Sequence, residues 1–176
     1  MKVLKIYRRQ FIIVRRYWQG ILAIVILMLA AGCGDKEESQ SAYPFLDREA
    51  LAEGVFKGFD IETGMTFDEI EQRFGQPIET DYLQGGKYSA FDHEEYQILL
   101  FDADERTVKH IMLYPKKEID LSTVRSLLGK ADFDGVPDLY EAWELYYSFG
   151  EYSFFVDGAT DKRDGQVQRF FLKYEQ

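Results

Sequence analysis

An internal repeat is the feature that most constrains the fold, because two short segments match at a fixed spacing of 54 residues. The first segment runs from Met65 to Pro77 and the second from Ile119 to Ala131. Within each segment the apolar positions recur every three or four residues, which predicts one amphipathic helix per copy. The equivalent positions are Phe67 and Leu121, Ile70 and Val124, Phe74 and Leu128, and Gly75 and Gly129.

Both predicted helices carry residues that suit helix ends. Thr66 and Asp120 are candidate N-caps, and Glu69 completes a capping box in the first copy only. Gly75 and Gly129 end the helices, and we expect both glycines in the left-handed conformation that glycine adopts at little cost.

Three strand-like runs follow each predicted helix, separated by turns rich in Asp, Glu and Gly. They are Tyr88–Phe91, Tyr96–Phe101 and Val108–Tyr114 in the first copy, and Tyr140–Phe149, Tyr152–Val156 and Val167–Tyr174 in the second. The pattern predicts an α+β fold: a tandem repeat of a helix followed by an antiparallel three-stranded meander, with the helices packed on one sheet face. The repeats are expected at about 64–115 and 119–174, within a single domain spanning 44–176.

A further short helix is predicted over residues 47–56, before the repeats. Asp47 is a plausible N-cap, and Leu51, Val55 and Phe56 form an apolar stripe. Gly58 follows the stripe and can end the helix.

The N-terminal segment has the layout of a secretory signal. Its first 32 residues hold six basic and no acidic residues, then the apolar run Ile21–Ala31 and Gly32. As a helix, that run reaches about 17 Å, short of the ~30 Å needed to cross a bilayer. Cys33, the only cysteine, comes next and is followed by the polar stretch 34–42. An uncleaved N-terminal anchor is the alternative interpretation, and it leaves the same domain outside the membrane.

The small residues before Cys33 resemble a bacterial lipobox. The resemblance implies diacylglyceryl transfer to the Cys33 thiol, cleavage after Gly32 and anchoring by acyl chains such as palmitate at the extracytoplasmic face of the cell membrane. Leu29 lies one place upstream of the position the motif prefers, where Ala30 stands. Residues 1–32 are then the signal peptide, and 33–43 a lipidated, acidic and flexible tether.

Charge excludes some classes of partner. Removing residues 1–32 leaves 15 basic and 31 acidic residues, a formal net charge of −16. So negative a domain is not expected to bind nucleic acid or to adhere to anionic lipid, and it favours a basic partner. Membrane attachment would then depend on the acyl chains at Cys33.

Four short motifs resemble the YjgB-like lipoproteins of Gram-positive bacteria, a family without an assigned biochemical function. They are Leu51-Ala-Glu-Gly-Val-Phe-Lys-Gly58, Gly64-Met-Thr66, Phe74-Gly-Gln-Pro77 and Leu128-Gly-Lys130. More distantly, the tandem layout looks like the fold of β-lactamase-inhibitor proteins and of small outer-membrane assembly lipoproteins. Those relatives bind other proteins, so the resemblance implies binding and supplies no catalytic residues. Ala131 stands where the family usually has proline.

Candidates for catalysis and metal binding have simpler interpretations. His93 is placed in a hairpin turn, and His110 on a strand facing away from the core, where both are expected to be exposed and to bind no metal. The acidic turn at Asp157, Asp161 and Asp164 lacks the spacing of an EF-hand, which favours a solvated hairpin. No cofactor and no metal are expected.

The aromatic second meander is the most distinctive candidate site. Trp143, Leu145, Tyr147 and Phe149 alternate and form the better core face. The other face carries Tyr140 and Tyr146, joined by Phe155 and Phe171 from neighbouring strands, and it is a possible binding surface. In the alternative interpretation the 47–56 helix covers this face.

The expected function is therefore that of a lipid-anchored, non-enzymatic lipoprotein that binds a protein or an envelope component. The alternatives are a cell-envelope hydrolase, which needs a cleft with two converging carboxylates of raised pKa, and a small-ligand sensor, which needs a closed apolar pocket.

Overall fold

The computed structural model describes residues 42–83, 86–102 and 107–175. The predicted signal peptide, Cys33 and residues 34–41 of the tether lie outside the described residues. Three helices are described: α1 (Arg48–Ala52), α2 (Phe67–Phe74) and α3 (Leu121–Leu128). Two strands form a small hairpin, β1 (Val55–Phe56) and β2 (Ile61–Glu62). The other strands are β3 (Glu79–Leu83), β4 (Gly86–Asp92), β5 (Tyr96–Asp102), β6 (Val108–Pro115), β7 (Phe133–Gly135), β8 (Glu144–Phe149), β9 (Tyr152–Gly158) and β10 (Val167–Tyr174).

A single eight-stranded antiparallel sheet dominates the structure, in the order β3-β4-β5-β6-β10-β9-β8-β7. Each half of the sheet is a four-stranded meander preceded by a helix, α2 for β3 to β6 and α3 for β7 to β10. The two meanders join in the middle, where β6 pairs with β10. Equivalent hydrogen bonds connect the segment just before each helix to the last strand of its own half. The Val108 amide donates to the Met65 carbonyl, and the Val167 amide donates to the Ile119 carbonyl.

The predicted α+β class is wrong, because the protein is mainly sheet. The three described helices have only five, eight and eight residues, against eight strands in one sheet. Each half has four strands rather than three, since β3 and β7 pair with the outer edges of the predicted meanders. The sequence pattern missed β3 because all five of its residues are exposed, so it has no apolar alternation.

The predicted 47–56 helix is also shorter than expected. Asp47 does cap it, accepting hydrogen bonds from the backbone amides of Glu49 and Ala50 at 3.0 and 3.2 Å. The helix ends at Ala52, because Gly54 takes a positive φ of 78°. The predicted apolar end of the helix instead forms β1 and pairs with β2.

All three helices pack on the same side of the sheet and bury one continuous core. Leu51, Ile70 and Val124, one from each helix, belong to this core and are fully buried. Phe45, which precedes α1, is also buried and lies 5.1 Å, centroid to centroid, from the Phe170 ring. The side of the sheet opposite the helices is called the open face below.

The glycines that end α2 and α3 adopt a conformation other than the predicted left-handed one. Gly75 has φ 80° and ψ −167°, and Gly129 has φ 74° and ψ −152°. This region of backbone space is essentially restricted to glycine. At neither position does a Cβ meet a heavy atom within 4 Å, so the restriction comes from the backbone alone.

We therefore expect Gly129→Ala to lower the free energy of unfolding by about 1–3 kcal/mol through backbone strain. Urea denaturation of the full chain in detergent measures the change. Lys130→Ala is the matched control, because it changes the adjacent exposed residue, which has no positive φ. Equal stabilities of the two variants would contradict the assigned role of Gly129.

Candidate functional site

An apolar row crosses the open face through both halves of the sheet. Strand register places Leu99, Met112, Phe171, Phe155 and Tyr146 directly beside one another on five successive strands. In the first half of the sheet the side chains of this face pack against one another. Four of them are buried in a small second core: Ala90, Leu99, Phe101 and Met112. In the second half the aromatic side chains are only half-buried.

The structure places the four predicted binding residues on the open face or at its border. The Tyr146 ring lies 5.1 Å from Phe155, and the Phe155 ring lies 6.1 Å from Phe171, measured between centroids. Tyr140 stands in the loop between β7 and β8 with 61% of its surface exposed. The alternative, in which the N-terminal helix covers this face, does not hold, because Leu51 packs into the core on the other side.

Two adjoining cavities open beside this aromatic row. One, of about 720 Å³, is lined by residues that include Tyr140, Phe155 and Phe171. The other, of about 570 Å³, is lined by residues that include Tyr146 and Phe155. Both cavities are lined by Pro137, Glu144 and Phe155, so they form successive parts of one groove. This groove is the candidate functional site.

A polar network that starts on α3 positions the loop bordering the groove. The Arg125 guanidinium donates two hydrogen bonds to the Asp134 carboxylate, at 2.9 and 2.8 Å. The Trp143 indole donates a third, at 2.7 Å. Because Asp134 lies on β7 and Trp143 directly precedes β8, these bonds hold the two ends of the loop. Between those ends the loop exposes Leu139 (92%) and Tyr140.

Charged groups line the groove at the start of β8 and the end of β9. Glu144 lies directly opposite Asp157 in the strand register, and Asp157 is paired with Arg169. Burial raises the pKa of the Glu144 carboxyl, and the Asp157 carboxylate acts in the same direction, while Arg169 opposes them. The groove thus combines aromatic walls with one carboxyl that is poorly stabilised as an anion.

His110 lies on the open face, as its strand position predicts, but it is half-buried rather than exposed. Its ring stands 6.5 Å from the Phe101 centroid and 5.9 Å from that of Phe171, and its Nδ1 accepts a hydrogen bond from the Tyr174 amide. Burial lowers the pKa of His110 to about 4, helped by the charges of Lys109 and Lys173 and opposed by Glu175.

Sequence reasoning missed several residues that line the groove. Phe101, His110 and Met112 come from the first half of the sheet, whereas all four predicted binding residues lie in the second half. Strand alternation places Glu144 on the same face as Tyr146, but its position between the two cavities depends on the β7–β8 loop, whose path no sequence pattern predicts. For Phe101 and Met112, alternation with buried residues was the available signal.

Two classes of feature are not found in the part of the chain that the structure describes. Residues 42–83, 86–102 and 107–175 contain no group of three or more His, Cys, Asp or Glu side chains arranged to hold a metal ion. Over the same ranges, no helix combines the length and apolar character needed to cross a bilayer.

Comparison with known proteins identifies the fold. No family model matches the chain, and no curated protein gives a significant match. The crystal structure of YjgB, a DUF4309 family protein from Bacillus subtilis, is similar with a TM-score of 0.59 at 14% identity; the match covers 77% of this chain and 99% of YjgB. The chain therefore has a YjgB-like fold. A cysteine-rich secretory protein from Staphylococcus aureus, SAV1118, has a TM-score of 0.43 at 11% identity, covering 64% of this chain and 44% of that one.

The environment of His110 predicts a pH dependence of stability. Below pH ~6.5 the unfolded chain protonates this histidine, whereas the folded protein does so only near pH 4. The free energy of unfolding therefore falls as the pH drops through this window, and we expect His110→Asn to remove that part of the loss. Asn is chosen because its side-chain oxygen can accept the hydrogen bond from Tyr174.

Urea denaturation at several pH values between 7.5 and 4 measures the effect. His93→Asn, which removes the other histidine of the chain, is the comparison for loss of an imidazole. A His110→Asn variant whose stability changes with pH as steeply as that of the wild type would contradict the prediction.

Proposed function

We propose that this protein is a lipid-anchored, non-enzymatic lipoprotein of the cell surface that binds another protein or an envelope component through the groove on its open face. The observation that carries the proposal is the aromatic row of Tyr146, Phe155 and Phe171 beside two adjoining cavities. Half-buried aromatic side chains offer large, rigid contact areas at low entropic cost, which is typical of the centres of protein interfaces.

The border of the groove supports the same function. Leu139 and Tyr140 are among the most exposed large apolar residues of the described chain, and both stand in the β7–β8 loop. The loop is held at its base by the Arg125–Asp134–Trp143 network, so its tip is presented from a fixed frame. Exposed apolar groups next to a partly apolar groove mark interaction sites more often than isolated exposed residues do.

The carboxyl groups of the groove favour binding over hydrolysis. Acid–base hydrolysis with two carboxyls needs both near the reacting bond, one of them with a raised pKa. Here Glu144 has a raised pKa, while Asp157 is occupied by an ion pair with Arg169. Because the carboxylate directly opposite Glu144 is held in this ion pair, we favour a role in binding.

Anchoring at Cys33 would complete the proposed function. A tether of residues 33–43 reaches at most ~35 Å when fully extended, which keeps the groove near the membrane surface. Confinement to that layer raises the effective concentration of the domain toward partners at the same surface.

Site-specific photocrosslinking tests the binding face. We expect benzoylphenylalanine at Tyr140 to give discrete adducts in native membranes, because this residue borders the groove. The same substitution at Tyr82 is the matched control, since Tyr82 is also an exposed tyrosine, at 71%, but lies on the other side of β3. Tyr146→Ala should reduce the adducts from Tyr140 without unfolding the domain, as judged by its melting temperature.

Two results would count against the binding face. One is an adduct yield from Tyr140 no higher than from Tyr82. The other is a Tyr146→Ala protein that unfolds, which would make Tyr146 a core residue rather than a contact for a partner.

Metabolic labelling with an alkyne analogue of palmitate tests the anchor. Cys33→Ala should abolish labelling and leave the unprocessed precursor, because the acyl chains require the Cys33 thiol. Ser39→Ala, changed in the same segment but retaining the cysteine, should label and mature normally. Labelling that survives in Cys33→Ala would overturn lipidation at this residue.

A further inference from the structure

Glu144 occupies the junction of the groove. It is one of the three residues that line both cavities, together with Pro137 and Phe155. Whatever fills the groove along its length must therefore pass this carboxyl. On the same face it has Asp157 directly opposite on β9, and two aromatic residues beyond: Tyr146 two residues along β8, and Phe155 opposite Tyr146.

Glu144 forms no ion pair or hydrogen bond through its carboxylate with a described residue, and Arg169 only partly offsets its charge. The two described cations that line the groove are already engaged. Arg169 pairs with Asp157, and Lys173 donates to Glu175 at 3.0 and 2.7 Å. A half-buried carboxylate without a counterion is costly, and a cation supplied from outside would remove that cost.

The walls of the groove suit one kind of cation in particular. A guanidinium is planar, remains charged, and stacks on aromatic rings while donating two parallel hydrogen bonds to a carboxylate. Phe155 and Tyr146 offer such rings close to Glu144, and Tyr140 offers another at the border of the groove. An arginine side chain satisfies both the carboxylate and the rings.

The dimensions and charge of the groove point to a peptide segment rather than a small free amine. Two adjoining cavities of about 720 and 570 Å³ exceed what one small cation needs. The groove-lining acids outnumber the groove-lining cations: Asp138, Glu144, Asp157 and Glu175 against Arg169 and Lys173. The chain beyond residue 32 carries a net charge of −16, which attracts a basic partner over a distance.

We propose that the groove binds a basic segment of a protein partner, with one arginine side chain placed between the Glu144 carboxylate and the Phe155 ring. The inference rests on the proposed function, because it names the class of partner for the same open face. It adds that Glu144 selects the partner by charge, while the aromatic row supplies contact area.

Selection from a displayed library of random twelve-residue peptides, with the full chain in detergent micelles as bait, tests the proposal. We expect the enriched peptides to share an arginine and to bind Glu144→Gln at least about tenfold more weakly than the wild type. Glu141→Gln is the matched control, because it removes the same charge from an exposed neighbour that lines neither cavity. Its binding should stay within about twofold of the wild type.

A change in the peptide alone makes the test independent of how the variant folds. Replacing the shared arginine with citrulline, which is neutral and similar in shape, should weaken binding to the wild type about tenfold. The same replacement should cause no further loss with Glu144→Gln. Failure to enrich arginine, or equal losses in Glu144→Gln and Glu141→Gln, would overturn the assignment.

Crosslinking from position 140 separates this inference from the proposed function. If Tyr140 adducts form as strongly in Glu144→Gln as in the wild type, the open face binds its partner without an arginine at Glu144, and the inference fails alone. If Tyr140 gives no more adduct than Tyr82, the proposed binding face itself fails.

Discussion

The pairing of β6 with β10 is the interaction on which the rest of the structure depends. Register here places Leu113 opposite Phe170 and Ile111 opposite Leu172, and all four side chains are fully buried on the helix side. Without this pairing, each half would be a four-stranded meander with an unpaired edge at its last strand and one short helix to cover it. With it, both halves share one core.

The same register determines the properties of the other face. Since residues alternate along a strand, pairing Phe170 and Leu172 with the core requires Phe171 to lie on the open face, beside Met112. The described helices all pack on the core side, so none of them covers the open face. In the first half these side chains bury one another. In the second half, the β7–β8 loop stands at the border of the sheet and a groove remains.

Short-range patterns predicted the parts of this arrangement that depend on alternation and on the N-cap of the first repeated helix, whereas Asp120 makes no side-chain cap hydrogen bond in the second. Tyr146, Phe155 and Phe171 were assigned to the face opposite the core because each alternates with a buried residue, and Thr66 forms the expected capping box with Glu69. Strand β3 was not predicted, because all its residues are exposed at the edge of the sheet and its sequence therefore shows no apolar alternation. The unpaired state of Glu144 could not be predicted, since it depends on Arg169 being engaged across the sheet by Asp157.

Glu144 gives the clearest indication that the groove is not merely left over from folding. Glu144, the first residue of β8, is a half-buried carboxyl with no ion pair to a described residue, and burial raises its pKa, so its charged form is costly in the folded state. We expect a neutral or apolar residue at this position to leave the free energy of unfolding the same or higher. The neighbouring Asp157 carboxylate, by contrast, already has Arg169 as its counterion. A residue that lowers stability where it stands is typical of a functional site, at which binding rather than folding accounts for its presence.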